Sequence, residues 1–193
     1  MAQAEIVEPK VAARGWAPTD LASGVYLAGK DASERLPMGS TDKIMVALVA
    51  LEQAEAGQAN LGEEITVSTD TAAFAVPFYS NVGLLAGEVV SVRKLLAATL
   101  IPSGNDAVYA LAEHLGGGRG EAGVDKFVEK MNQWARALGL EDTHFQNPRG
   151  LAARGQYSGA AISRPWRGRP PRARSSARWS PRTTPSSPPK TGR

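Results

Sequence analysis

The chain has 193 residues, 42% hydrophobic and 6% aromatic, which allows one buried core and is ordinary for a globular domain. It holds no cysteine and two histidines, His114 and His144, which excludes a disulfide framework and a thiolate metal site and argues against a zinc enzyme. The net charge of +3 hides a division: residues 159–193 carry eight Arg and one Lys with no acidic residue, and residues 1–158 carry about −6.

Met1 to Glu8 has neither a basic n-region nor an apolar h-region, and no apolar run reaches the length of a bilayer span, so no signal peptide and no membrane span are expected in this chain. Ala13 to Asp20 and Val25 to Ala28 read as two short antiparallel strands joined by Leu21-Ala22-Ser23-Gly24. A helix is expected from Ser40, taken as its N-cap, to about Ala56, with Gly57 closing it. Its apolar residues cover almost the whole circumference, which predicts a central, buried helix. Between 58 and 90 the only regular element expected is a strand from Glu64 to Val67, followed by a loop through Pro77, Tyr79 and Asn81 to Gly87. Ser91 to Lys94 opens a helix that Pro102 ends, and a second helix runs from Asp106 to Leu115 and stops at Gly116-Gly117-Gly118. A third, amphipathic helix is expected from Gly123 to Leu138, with Phe127, Met131, Trp134 and Leu138 on one face; Thr143 to Leu151 reads as an ordered loop.

Two short motifs carry chemistry. In Ser40-Thr41-Asp42-Lys43 a helical repeat places the lysine one turn on from the serine, so a hydroxyl and an amine face each other. A serine becomes a nucleophile when a base takes its proton, and a lysine kept neutral by burial is such a base. By itself the tetrapeptide also fits a capping serine beside a solvated lysine. Ser103-Gly104-Asn105, on a turn between two core helices, adds a second hydroxyl and a carboxamide; alone it also fits a capping turn.

Taken together, and with their flanks, these motifs resemble the D-alanyl-D-alanine carboxypeptidases of the penicillin-binding protein group from Val11 to about Ser158. The blocks that carry the resemblance are "DLASGVYLAGKDASERLPMGSTDKIMVALVALE", "SNVGLLAGEVVSVRKLLAATLIPSGNDAVYALAEHLGG" and "FVEKMNQWARALGLEDTHFQNPRGL", in that order. The resemblance implies an α+β, β-lactamase/transpeptidase-like fold, a helical cluster against an antiparallel sheet, with the sheet incomplete in this chain. It implies cleavage of the terminal D-alanine of peptidoglycan stem peptides through an acyl-enzyme, without cofactor or metal, in the cell envelope outside the cytoplasm, with β-lactams as substrate mimics. It assigns Ser40 as the acylated nucleophile, Lys43 as the proton acceptor, Ser103 as a proton relay and Asn105 as a substrate-orienting residue. Gly104 favours the carboxypeptidase branch over the alternative, a β-lactamase-like hydrolase, because class A β-lactamases usually carry aspartate there.

The family also has a strand bearing Lys-Thr-Gly, which binds the substrate carboxylate and supplies an oxyanion donor. Lys190-Thr191-Gly192 has the letters but follows Pro188-Pro189 one residue from the end, so it is not expected to form that strand. The expected organisation is a partial catalytic domain over 1–158 and a disordered basic tail over 159–193, seven of whose residues are proline. Read one frame over with GC-rich codons, the tail from about Ala161 becomes Asp-Leu-Ala-Ala-Leu-Ala-Arg-Ala, an amphipathic helix of the kind the family has there. The native frame is therefore expected to be lost near Ser158, leaving a product impaired or inactive; stop codons in both other frames of the genomic DNA would refute this. A different reading, a non-catalytic remnant whose nine cations bind anionic surfaces, is less favoured, and no nucleic acid is expected as a partner, because no aromatic stacking pattern accompanies the arginines.

Overall fold

The computed structural model describes residues 10–20 and 25–160. The expected disorder and frame of the tail, Lys190-Thr191-Gly192, and the turn Leu21 to Gly24 lie outside the described residues. The order of elements is a 3₁₀ turn (Gly39–Asp42), α1 (Lys43–Glu55), β1 (Glu64–Thr66), α2 (Thr69–Ala72), β2 (Val89–Ser91), α3 (Val92–Leu100), α4 (Asn105–Gly116), α5 (Gly120–Ala137), β3 (Thr143–His144) and β4 (Tyr157–Ser158).

The core is helical. In α4, eleven of twelve residues are buried and only His114 is not, as a helix with an apolar circumference requires. It packs against α3 on one side and α5 on the other, and α1 touches all three. On α5 the residues Val124, Phe127, Val128, Met131 and Ala135 turn inward. Phe127, Leu95, Leu111 and Met131 are fully buried, each contributing about 1.5–3 kcal/mol of apolar transfer. The α4–α5 corner is closed by glycine: a Cβ on Gly116 would lie 1.9 Å from the Gly123 carbonyl oxygen, so only a bare backbone permits the approach. Glu113, buried on α4, accepts hydrogen bonds from Ser68 Oγ (2.7 Å), Thr71 Oγ1 (2.7 Å) and Gly120 N (2.6 Å), tying α2 and the start of α5 to the core.

The sheets are small and antiparallel. β1 pairs with β2 in the register Glu64↔Ser91, Ile65↔Val90, Thr66↔Val89, and β3 pairs with β4. The two amino-terminal segments pair through bridges at Trp16↔Lys30 and Thr19↔Tyr26, and Leu36 bridges to Ser158.

Four expectations are corrected. Ser40 does not cap a helix: it lies within the 3₁₀ turn, whose N-cap is Met38 with no side-chain hydrogen bond. α1 is buried on one side only, with Ile44 68% and Leu51 44% exposed, because α3, α4 and α5 all lie on the other side. The stretch 58–90 holds α2 and β2 besides β1; Ser68 Oγ accepts from Thr71 N and caps α2, a signal too short to show in hydrophobic period. Thr143 and His144 are a strand, visible only through pairing with Tyr157 and Ser158.

Candidate active site

The site forms where three separated segments meet at the start of α1. The chain enters through Gly39 (φ +52°) into one tight turn and passes into α-helix at Lys43. This leaves Ser40 exposed and carries Lys43 into the core, where it is 2% exposed. Lys43 Nζ lies 3.0 Å from Ser40 Oγ. From α4, Asn105 brings its Oδ1 to 3.3 Å from the same nitrogen. The carboxamide cannot turn freely, since Asn105 Nδ2 donates to Ser80 O (3.1 Å) while its backbone N–H donates to the same carbonyl (2.7 Å). Ser80 is held in turn by its loop: the buried carboxylate of Asp106 accepts from Val82 N (3.1 Å) and Leu84 N (3.0 Å).

The third segment is the loop after α5, where the Arg149 carbonyl lies 3.2 Å from Lys43 Nζ. Asn147 shapes this loop by accepting from Arg149 N (3.0 Å) and Leu151 N (3.2 Å). The Arg149 guanidinium lies over the Phe74 ring, 4.2 Å from its centroid, and 5.7 Å from that of Tyr109. Gly150 (φ +73°) touches the 3₁₀ turn backbone to backbone, and a Cβ there would stand 2.0 Å from Gly39 O.

This arrangement decides which way the lysine's lone pair points. A neutral amine has two N–H groups and one lone pair. Asn105 Oδ1 and Arg149 O are acceptors only, so in a neutral lysine they take the two N–H groups and leave the lone pair for the Ser40 hydroxyl, whereas an ammonium donates to all three oxygens. Burial lowers the Lys43 pKa from the ordinary lysine range, opposed by the charge of Asp42, and so favours that neutral form. Asp42 is pushed up to about 7 by burial, against the opposing pull of Lys43, the backbone N–H groups of Gly150 and Lys43, and Arg149. Tyr109, below Arg149, is raised by burial first and by Glu121 next.

Of the four residues singled out in the sequence, Ser40, Lys43 and Asn105 meet at one nitrogen. Ser103 does not join them by a hydrogen bond: its backbone is left-handed (φ +62°), and its buried Oγ has no partner among the described residues. Sequence reasoning missed Arg149, Ser80, Asp106 and Asp42. Arg149 and Ser80 act through main-chain carbonyls, which no residue type signals. Among the described residues, no group of three or more His, Asp or Glu is arranged to hold a metal ion.

A serine hydroxyl 3.0 Å from a buried lysine, on a helical cluster flanked by antiparallel strands, is the arrangement that serine–lysine acyl transfer requires. Comparisons agree on a narrower grouping. The sequence profile of the peptidase S11 family, D-alanyl-D-alanine carboxypeptidase, matches residues 2–162. The D-alanyl-D-alanine carboxypeptidase DacC of Escherichia coli is 38% identical over 162 residues, 82% of this chain and 39% of the relative. DacF of Bacillus subtilis is 37% identical over 138 residues, 72% of this chain and 33% of the relative. The crystal structure of penicillin binding protein 5 from Haemophilus influenzae superposes with a TM-score of 0.75 at 31% identity, covering 81% of this chain and 44% of that one. The chain belongs to the D-alanyl-D-alanine carboxypeptidase family and has its fold. It spans about a third to two fifths of the length of these curated relatives.

Proposed function

We propose that this chain carries the acylating half of a serine-type D-Ala-D-Ala carboxypeptidase that acts on peptidoglycan stem peptides in the cell envelope, with β-lactams as substrate mimics. The observation that carries the reading is the 3.0 Å approach of Lys43 Nζ to Ser40 Oγ, with the acceptor oxygens of Asn105 and Arg149 at 3.3 and 3.2 Å from the same nitrogen. Ser40 Oγ attacks the carbonyl carbon of the penultimate D-alanine as its proton passes to the Lys43 lone pair. The tetrahedral intermediate then collapses, the peptide C–N bond breaks, and the leaving amine takes the proton that Lys43 accepted from Ser40. Water attacks the Ser40 ester and releases the shortened peptide. Asn105, fixed by Ser80, orients both the amine and the substrate amide. Residues 1–158 form the partial catalytic domain in this reading, and 159–193 supply no catalytic group.

The expected outcome is a benzylpenicillin adduct, located by peptide mass spectrometry at Ser40 and absent in Ser40→Ala. An adduct at another residue would show that the nucleophile is misassigned.

A further inference from the structure

One buried titratable group beside the site has no part in the chemistry above. Asp42 closes the 3₁₀ turn and precedes Lys43; it is 2% exposed, and neither of its carboxyl oxygens makes a hydrogen bond of normal geometry. The main chain of Gly150 packs directly on it, since a Cβ at that glycine would stand 3.0 Å from Asp42 Oδ1. The charged groups that act on it are Lys43, the next residue and the first of α1, and Arg149 from the loop that covers it; α4 contributes the uncharged Asn105, which reaches Lys43. Consecutive residues of a helix do not face each other, so Asp42 and Lys43 are not locked into a hydrogen-bonded ion pair. Both are 2% exposed and adjacent in the chain, where an unpaired charge is costly, so the charge on one bears on the charge of the other.

We propose that Asp42 is a positioning residue for the base: ionised, its carboxylate holds Lys43 as the ammonium ion, and protonated, it leaves Lys43 as the free amine that Ser40 needs. The inference rests on the reading of Lys43 as proton acceptor and deepens it. The two groups titrate as a pair. Adding a negative charge beside Lys43 favours the ammonium form, and removing it favours the amine; burial acts against charge on both. Over the range in which the pair holds one proton, the acylating species is the one with that proton on Asp42. The Arg149 guanidinium pulls the other way, toward ionised Asp42, so the loop that supplies the Arg149 carbonyl to Lys43 also biases its charge.

Asp42→Asn keeps the shape and removes the charge. At pH 6, below the step of a carboxyl pushed up to about 7, wild type and variant hold the same charges, and their rates of benzylpenicillin adduct formation should agree. At pH 8 the wild-type carboxylate is ionised, and the variant should be faster by about tenfold or more, the effect of removing one nearby opposite charge. A second measurement does not depend on acylation or on the variant's folding: in the wild-type chain labelled with ¹³Cε-lysine, the Lys43 resonance should show an inflection near pH 7 and a second step at higher pH. A rate ratio that is the same at pH 6 and 8, or a Lys43 resonance that titrates in one step, would overturn the proposal. If no adduct forms on Ser40 in either protein, the acyl-transfer reading falls, and the Lys43 resonance still decides the pairing.

Discussion

Asn105→Asp tests the arrangement around Lys43 through charge alone, since the side chain keeps its length and shape. It places a carboxylate oxygen 3.3 Å from Lys43 Nζ in a region where the lysine is 2% exposed. At an effective dielectric of about 20, unit charges at that distance attract by about 5 kcal/mol. Desolvation of the new carboxylate opposes this, and so does its second oxygen, which meets the Ser80 carbonyl where Nδ2 donated a hydrogen bond. If these terms cancel half, about 2.5 kcal/mol remains in favour of the ammonium ion, a loss of close to a hundredfold in neutral lysine. The expected outcome is a rate of benzylpenicillin adduct formation near pH 7 lower by about two orders of magnitude, recovering about tenfold per pH unit as the lysine is deprotonated. The assay is intact-mass measurement of the adduct over time between pH 6 and 10. A deficit of the same size at every pH would refute the reasoning, because it would place the role of Asn105 in contact with the ligand and not in the charge of Lys43.

Two glycine exchanges should move stability in opposite directions. Gly150→Ala forces a Cβ at φ +73° against the Gly39 carbonyl, 2.0 Å away, so the loop must withdraw and carry the Arg149 carbonyl off Lys43; a loss of about 3 kcal/mol in urea unfolding and slower adduct formation are expected, and an unchanged midpoint would contradict the contact. Ser103→Gly removes a left-handed non-glycine residue and a buried hydroxyl without a partner, so a gain of about 1 kcal/mol is expected despite the added freedom of the unfolded chain, and a loss of that size would mean the hydroxyl is satisfied after all.

How much of this was legible in the sequence depended on how far apart the cooperating residues lie. Ser40 and Lys43 are three positions apart, so any helical turn brings them together, and their meeting survives the error in the cap: a 3₁₀ turn at Ser40 running into α-helix at Lys43 serves as well as the expected N-cap. The core helices were legible for a similar reason, since α3, α4 and α5 carry their own period and their own Pro and Gly stops. The short strands were not. β2 and β4 have three and two residues, and what makes them strands is a partner 23 to 27 positions away for β2 and about 14 for β4.

The groups that finish the site were hidden for a further reason: they are selected by geometry and not by side-chain chemistry. Ser80 and Arg149 each contribute a carbonyl, which every residue has, and what places those carbonyls is a second tier of polar side chains. Asp106 holds the loop of Ser80 through Val82 N and Leu84 N, and Asn147 folds the loop of Arg149 through Arg149 N and Leu151 N. Both lie inside blocks whose likeness to the family was visible, "SGND" and "QNPRGL", yet neither letter announces its task. In the proposed reaction the two acceptors on Lys43, Asn105 Oδ1 and Arg149 O, matter as much as the serine, because without them the neutral amine could rotate and its lone pair would have no fixed direction. The direction of the lone pair is thus a tertiary property, assembled from segments 62 and 106 residues distant from Lys43.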